Sequence, residues 1–289
     1  MGARPPVVVD GVEKRELPRG SLLAFFGLTY LVTETCFIAA ALLSRSLAPG
    51  APSGLGINAL VLFGTFVPAL VALGLTARVE GRAGASALLA RLFRWEVRAR
   101  WYVFALGYIA AIKLTVALLH RLLTGAWPRF GDTPWYLMIA ATLFSTVIGG
   151  QTGEEVGWRG YALPRLAARI GLGAASVVLG VIWASWHLPL FFLHGADTYG
   201  QSFPVYLLQV TALSVAIAWL YWRTGGSLLL TMLMHAAVNN TKDIVPSAVA
   251  APGNPLSPSA SRVAWLGLAL LWIAAAYFLV RMRKATLTT

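Results

Sequence analysis

Three short stretches of this chain carry ionisable and amide side chains where the surrounding sequence is almost wholly apolar. The first reads Gly149-Gly150-Gln151-Thr152-Gly153-Glu154-Glu155-Val156-Gly157-Trp158-Arg159-Gly160. The second is Trp183-Ala184-Ser185-Trp186-His187-Leu188-Pro189, and the third His235-Ala236-Ala237-Val238-Asn239-Asn240. A carboxylate beside imidazoles can take a proton from water, and His or Asn donors can stabilise the oxyanion formed when an amide is attacked. Two His and one Glu can equally hold zinc with one position open for water, which makes Glu154, His187 and His235 the ligand set if a divalent metal is used. Residue types alone do not separate these chemistries, and polar side chains between apolar helices also serve as interhelical glue.

Helix geometry assigns the groups different roles. Residues four apart share a face, whereas adjacent residues diverge by about 100°. Glu155 and Arg159 are therefore stacked and expected to pair, while Glu154 points elsewhere and lacks a local cation, which suits it to proton transfer. His235 and Asn239 project from one face. Gly149, Gly153 and Gly157 repeat every four residues, a pattern that lets another helix come close. Pro189 frees the carbonyl of Ser185 and is expected to kink its helix beside His187. At about 1.5 Å of rise per residue, His235 lies about 14 Å and His187 about 21 Å from the cytoplasmic ends of their spans. Glu154 is shallower, and the three meet only if its helix runs on towards Leu163 or the next one starts late or tilts.

The elements that carry these groups are membrane spans. Of 289 residues, 58% are hydrophobic and 12% charged, and the mean hydropathy is +0.70; a soluble domain carries about 25% charged residues. The sequence predicts an all-α polytopic bundle of eight spans with a cytoplasm-facing cavity, at 21–46, 55–77, 101–123, 135–157, 173–194, 204–222, 226–245 and 262–281. Residues 1–20 are expected to be a flexible cytoplasmic tail, 21–284 one transmembrane domain with its motif-bearing core at 135–245, and 285–289 a C-terminal tail. Ser21 to Leu43 is too long for the apolar part of a cleavable signal. Residues 85–100, which mix Leu88, Leu89, Leu92, Phe93 and Trp95 with four arginines, read as an amphipathic surface helix. Pro246 to Ser261 reads as a loop.

With a cytoplasmic N-terminus, seventeen Lys and Arg fall inside and five outside, which puts both termini in the cytoplasm of a cell inner membrane. The net charge of +12 follows from this bias, so nucleic acid is not an expected partner; membrane lipids are. Cys36, the single cysteine, has no intramolecular disulfide partner. Glu34 and Lys113 lie at similar depth and are expected to pair. His120 and His194 lie at outer helix ends, the tryptophans suit an aromatic belt, and Arg78, Arg82, Arg91 and Arg94 suit lipid headgroups.

The order Glu154-Glu155-x-x-x-Arg159, Trp183-x-x-x-His187, His235-x-x-x-Asn239 resembles the three motifs of the CPBP family of CAAX prenyl proteases and bacteriocin-processing enzymes, also called Abi. The resemblance implies an intramembrane endopeptidase acting on a peptide or protein substrate, lipidated ones included. Glu154 would activate water together with His187, and His235 with Asn239 would line an oxyanion hole. Glu155 and Arg159 would hold the first glutamate in place. The family carries both metallo-type and metal-free descriptions, so zinc stays open. Trp183 stands where Phe is common, a change expected to matter little. A proton-coupled transporter would need discontinuous helices in matched halves, and a non-proteolytic partner or immunity protein would have lost a motif residue; neither pattern is present.

Overall fold

The computed structural model describes residues 20–46, 54–246, 254–283 and 285, so the tails at 1–19 and 286–289 and part of the 246–261 loop lie outside it. Among the described residues the chain is helical with no strand. Six helices are long and apolar enough to cross a membrane, and Trp135–Ile148 is a shorter apolar one. The all-α polytopic architecture expected from the sequence is what forms.

The helices are α1 (Gly20–Ser44), α2 (Leu55–Ala90), α3 (Ala99–Thr124), α4 (Trp135–Ile148), α5 (Gly150–Glu155), α6 (Leu163–Ile170), α7 (Leu172–Ser185), α8 (Phe203–Arg223), α9 (Leu228–Asn240) and α10 (Arg262–Met282). A π turn, Val156–Ala162, joins α5 to α6. α8 is the central element: 61% of its most apolar window is buried, against 28% for α3 and α10. It packs on α7, α10 and α9, while α2 packs on α1, α5 and the π turn. The core runs from Phe25 and Trp158 through Trp183 and Trp186 to Ile217, Leu220 and Met234.

Three expected elements differ. The fourth span is not one helix over 135–157. Gly149 takes an extended conformation (φ −84°, ψ 172°), which ends α4 and starts a second helical run from Gly150 to Ile170. The seventh span is shortened to 13 residues: the Ser227 hydroxyl accepts from Leu230 N and caps α9 after the Gly225–Gly226 turn, and at the far end the chain leaves the helix at Thr241 for the 3-10 turn Lys242–Ile244. The amphipathic helix expected over 85–100 starts earlier and stops sooner, covering only the stretch from the Gly81 break to Ala90. Gly81 (φ 71°, ψ −171°) bends α2 where it leaves its apolar run, and α2 then continues to Ala90 before a short turn at Arg91–Phe93.

Two close approaches set the position of the glutamate segment. A Cβ at Gly153 would lie 2.6 Å from Cα of Phe66, and one at Gly157 2.5 Å from Cβ of Pro68, so both glycines let the glutamate-bearing segment lie directly on α2. Gly149 does not share this role; it forms the break. Pro68 lacks the N–H that would bond the Gly64 carbonyl. That carbonyl accepts instead from the Thr33 hydroxyl of α1 at 3.0 Å, so the proline costs no buried acceptor.

Candidate active site

Two of the three motifs are presented by a local departure from regular helix. α5 carries Glu154 and Glu155 in its last turn, immediately before the π turn that carries Arg159. π insertions recur at functional positions because they re-aim side chains within a helix. α7 ends at Ser185, ahead of Pro189, and His187 falls in the turn leading to the 3-10 segment Leu188–Phe192, as the proline requires. α9 is regular and carries His235 at 3% exposure.

The two glutamates have different partners. Glu155 is fully buried; its Oε1 accepts from Arg159 Nη1 at 2.7 Å and from His235 Nδ1 at 3.0 Å. Glu154, 5% exposed, accepts from the Trp183 indole N–H at 2.6 Å through Oε2, and the same oxygen lies 3.9 Å from His187 Nε2. His187 Nδ1 is 2.8 Å from the Trp183 carbonyl. A carbonyl only accepts, so Nδ1 carries a proton, and Nε2 is the ring nitrogen turned towards Glu154.

Trp183 touches every part of this centre. Its N–H meets Glu154, its carbonyl holds His187, its ring lies 4.2 Å from the Arg159 guanidinium carbon, and its edge packs 5.1 Å from the His235 ring. A Phe would keep the stacking and lose the donor, so the expectation that the Trp-for-Phe exchange matters little is corrected. Trp158 and Trp186 are also fully buried and pack edge-to-face, with Trp186 against His187 at 4.8 Å; these three tryptophans form the wall of the site rather than an interfacial belt.

The structure thus brings Glu154, Glu155, Arg159, His187 and His235 together. Asn239 is separated from them: it is exposed, one turn beyond His235, and makes no hydrogen bond with Glu154, His187 or His235 among the described residues. Its neighbour Asn240 bonds Ser145 Oγ at 2.8 Å and ties α9 to α4. Tyr206 of α8, which spacing could not reveal, packs its ring 5.6 Å from His187 and lies within electrostatic reach of Glu154. His120 and His194 are elsewhere, on Ala126 and Tyr199. No ion pair joins Glu34 to Lys113; the acid near Lys113 is Asp243.

Among the described residues no three His, Cys, Asp or Glu side chains converge as a metal-holding group. Glu155 occupies Nδ1 of His235, and Glu154 reaches His187 rather than both histidines. Glu154, His187 and His235, the ligand set expected from the sequence, are thus not gathered around one point in this arrangement.

A helical membrane protein with a buried carboxylate–imidazole centre is the class that fold and site define. Residues 132–241 match the family model described as "Type II CAAX prenyl endopeptidase Rce1-like". A stretch covering 32% of the chain is 30% identical over 100 residues to the protein named "CAAX prenyl protease 2" from Methanococcus maripaludis. The match spans 37% of that protein's length. The resemblance carried by the three motifs is borne out over this segment, which contains every site residue named above.

Proposed function

We propose that the chain is an intramembrane endopeptidase that hydrolyses a peptide bond with water activated by Glu154. The observation that carries the reading is the 3.9 Å separation between Glu154 Oε2 and Nε2 of His187. That is too long for a direct hydrogen bond and short enough for one water to bridge. The bridging water loses a proton to Glu154 as its oxygen attacks the substrate carbonyl carbon. The protonated Glu154 then returns that proton to the amine nitrogen as the C–N bond breaks. His187 orients the water, and the Trp183 N–H keeps the carboxylate turned towards it. His235 in its protonated form, held through Nδ1 by Glu155, would donate from Nε2 to the oxyanion. Asn239 would join it only after the end of α9 closes on a bound substrate.

The Methanococcus relative's name supports a prenylated CAAX-type protein end as the substrate class, met from the cytoplasmic side, where the Lys and Arg bias puts both termini. The test is cleavage of a quenched fluorescent peptide, with and without a farnesylated cysteine, by purified parent and Glu154→Gln. General acid–base catalysis contributes about 10²–10⁴-fold, so a loss of at least a hundredfold with unchanged melting is expected. Equal rates for parent and variant overturn the mechanism. A parallel arm after exhaustive chelation is expected to keep its rate; loss that zinc restores would assign a metal to the site.

A further inference from the structure

Four arginines gather at one end of the bundle, away from the catalytic centre, where three helix ends meet. Arg98 and Arg100 flank the start of α3, Arg223 ends α8, and Arg281 is in the last turn of α10. All four are exposed. Arg223 lies within electrostatic range of Arg100, Arg281 and Arg98. The geometry is tighter for two of them: the guanidinium carbons of Arg100 and Arg223 lie 4.9 and 5.4 Å from the centre of the same Trp101 ring. Two like charges sharing one indole repel unless something negative lies between or above them. Among the described residues none of the four forms an ion pair, and Glu96, the acid nearest in sequence, forms none either.

Beneath the arginines lies an aromatic shelf: Trp101 against Trp219 at 5.2 Å, and Trp219 stacked on Phe278 at 4.6 Å. Beside it, α3 and α10 turn outward the exposed apolar side chains Val103, Tyr277 and Val280. A layer of guanidinium, a layer of aromatic ring and then exposed aliphatic surface is the order of a phospholipid from headgroup to chain. Arginine forks also match phosphate oxygens bidentately.

We propose that Arg98, Arg100, Arg223 and Arg281 form a binding site for the phosphodiester headgroup of an anionic phospholipid, whose chains lie along α3 and α10. The site is independent of the proteolytic reading, and it clamps together three helices that the catalytic motifs do not occupy.

The test uses the purified full chain in neutral detergent, titrated with phosphatidylglycerol or phosphatidylcholine and read by native mass spectrometry and by melting. The parent is expected to bind phosphatidylglycerol at least tenfold more tightly than phosphatidylcholine and to melt higher in its presence. A contribution of roughly 1 kcal/mol per basic residue near anionic lipid makes Arg100→Gln/Arg223→Gln bind about thirtyfold more weakly. Arg121→Gln/Arg129→Gln, exposed at the opposite end of α3 and in the loop after it, is expected to match the parent. If millimolar inorganic phosphate stabilises the parent as well as the lipid does, the ligand is free phosphate and the lipid assignment falls. Equal binding by parent and double variant, or equal binding of the two lipids, overturns the site. Should the double variant not fold, Arg281→Gln alone decides by the same comparison.

Discussion

Replacing Arg159 by methionine tests whether the fully buried ion pair holds the catalytic segment. Met keeps the length of the side chain and its packing on Trp183 while removing the charge. Glu155 then keeps His235 Nδ1 but loses the guanidinium, the fixed positive charge on the same oxygen. Breaking a buried pair by removing one member costs about 3–5 kcal/mol. The lower end applies here, because Nε and Nη2 of Arg159 have no hydrogen-bond partner among the described residues and their desolvation penalty vanishes with the side chain. About 3 kcal/mol corresponds to a fall of roughly 5 °C in apparent melting temperature for a chain of this size. The assay is thermal unfolding of purified protein in detergent, with Glu155→Gln/Arg159→Met as the companion. Removing both charges is expected to recover at least half of the loss, since no carboxylate is then stranded. Unchanged melting of Arg159→Met, or a double variant worse than either single one, would refute the assignment of a structural ion pair.

Trp183→Phe removes one hydrogen-bond donor and keeps a ring between Arg159, His187 and His235. A bond to a charged group contributes about 1.5–3 kcal/mol, so kcat is expected to fall at least tenfold with KM nearly constant. Equal kcat would show that the indole N–H does not aim Glu154. Gly153→Ala drives a methyl into the backbone of α2 at Phe66 and is expected to destabilise by about 1–3 kcal/mol. Gly107→Ala, where nothing lies within 4 Å, is the neutral control; the two melting alike would deny the close helix contact.

What was legible in the sequence followed from periodicity and local geometry. The pairing of Glu155 with Arg159 needs only the rise and turn of a helix, and the break after Ser185 only the missing N–H of Pro189. Both form as expected. The apolar runs were legible too, but not where they stop being straight. Gly149-Gly150 could have continued a helix at modest cost, and only the backing of Gly153 and Gly157 on α2 makes an extended Gly149 the better solution. The helical run from Gly150 to Ile170 is the continuation past Leu163 that the depth mismatch required, and Glu154 meets His187 on it. The contacts of Trp183 and Tyr206 were not legible, because they cross between helices far apart in sequence and follow no spacing rule. The same holds for Glu34 and Lys113, whose equal depth says nothing about which faces they occupy.

The difference between the two glutamates is the consequence that matters most for chemistry. Adjacent in sequence, they diverge by about 100° around the helix axis, and the environment completes the separation. Glu155 faces a guanidinium and an imidazole N–H, both of which favour the charged, inert form. Glu154 faces an indole N–H and an imidazole whose proton is committed to the Trp183 carbonyl, so it meets no fixed cation in direct contact and keeps one oxygen for water. A carboxylate that is oriented but not neutralised by an ion pair remains able to accept a proton; one locked to arginine does not. Exchanging the two roles would require moving Arg159 by one residue, which would bring it over Glu154 and strand Glu155 in the core. The spacing between the second glutamate and the arginine is therefore what the proposed choice of Glu154 as base rests on.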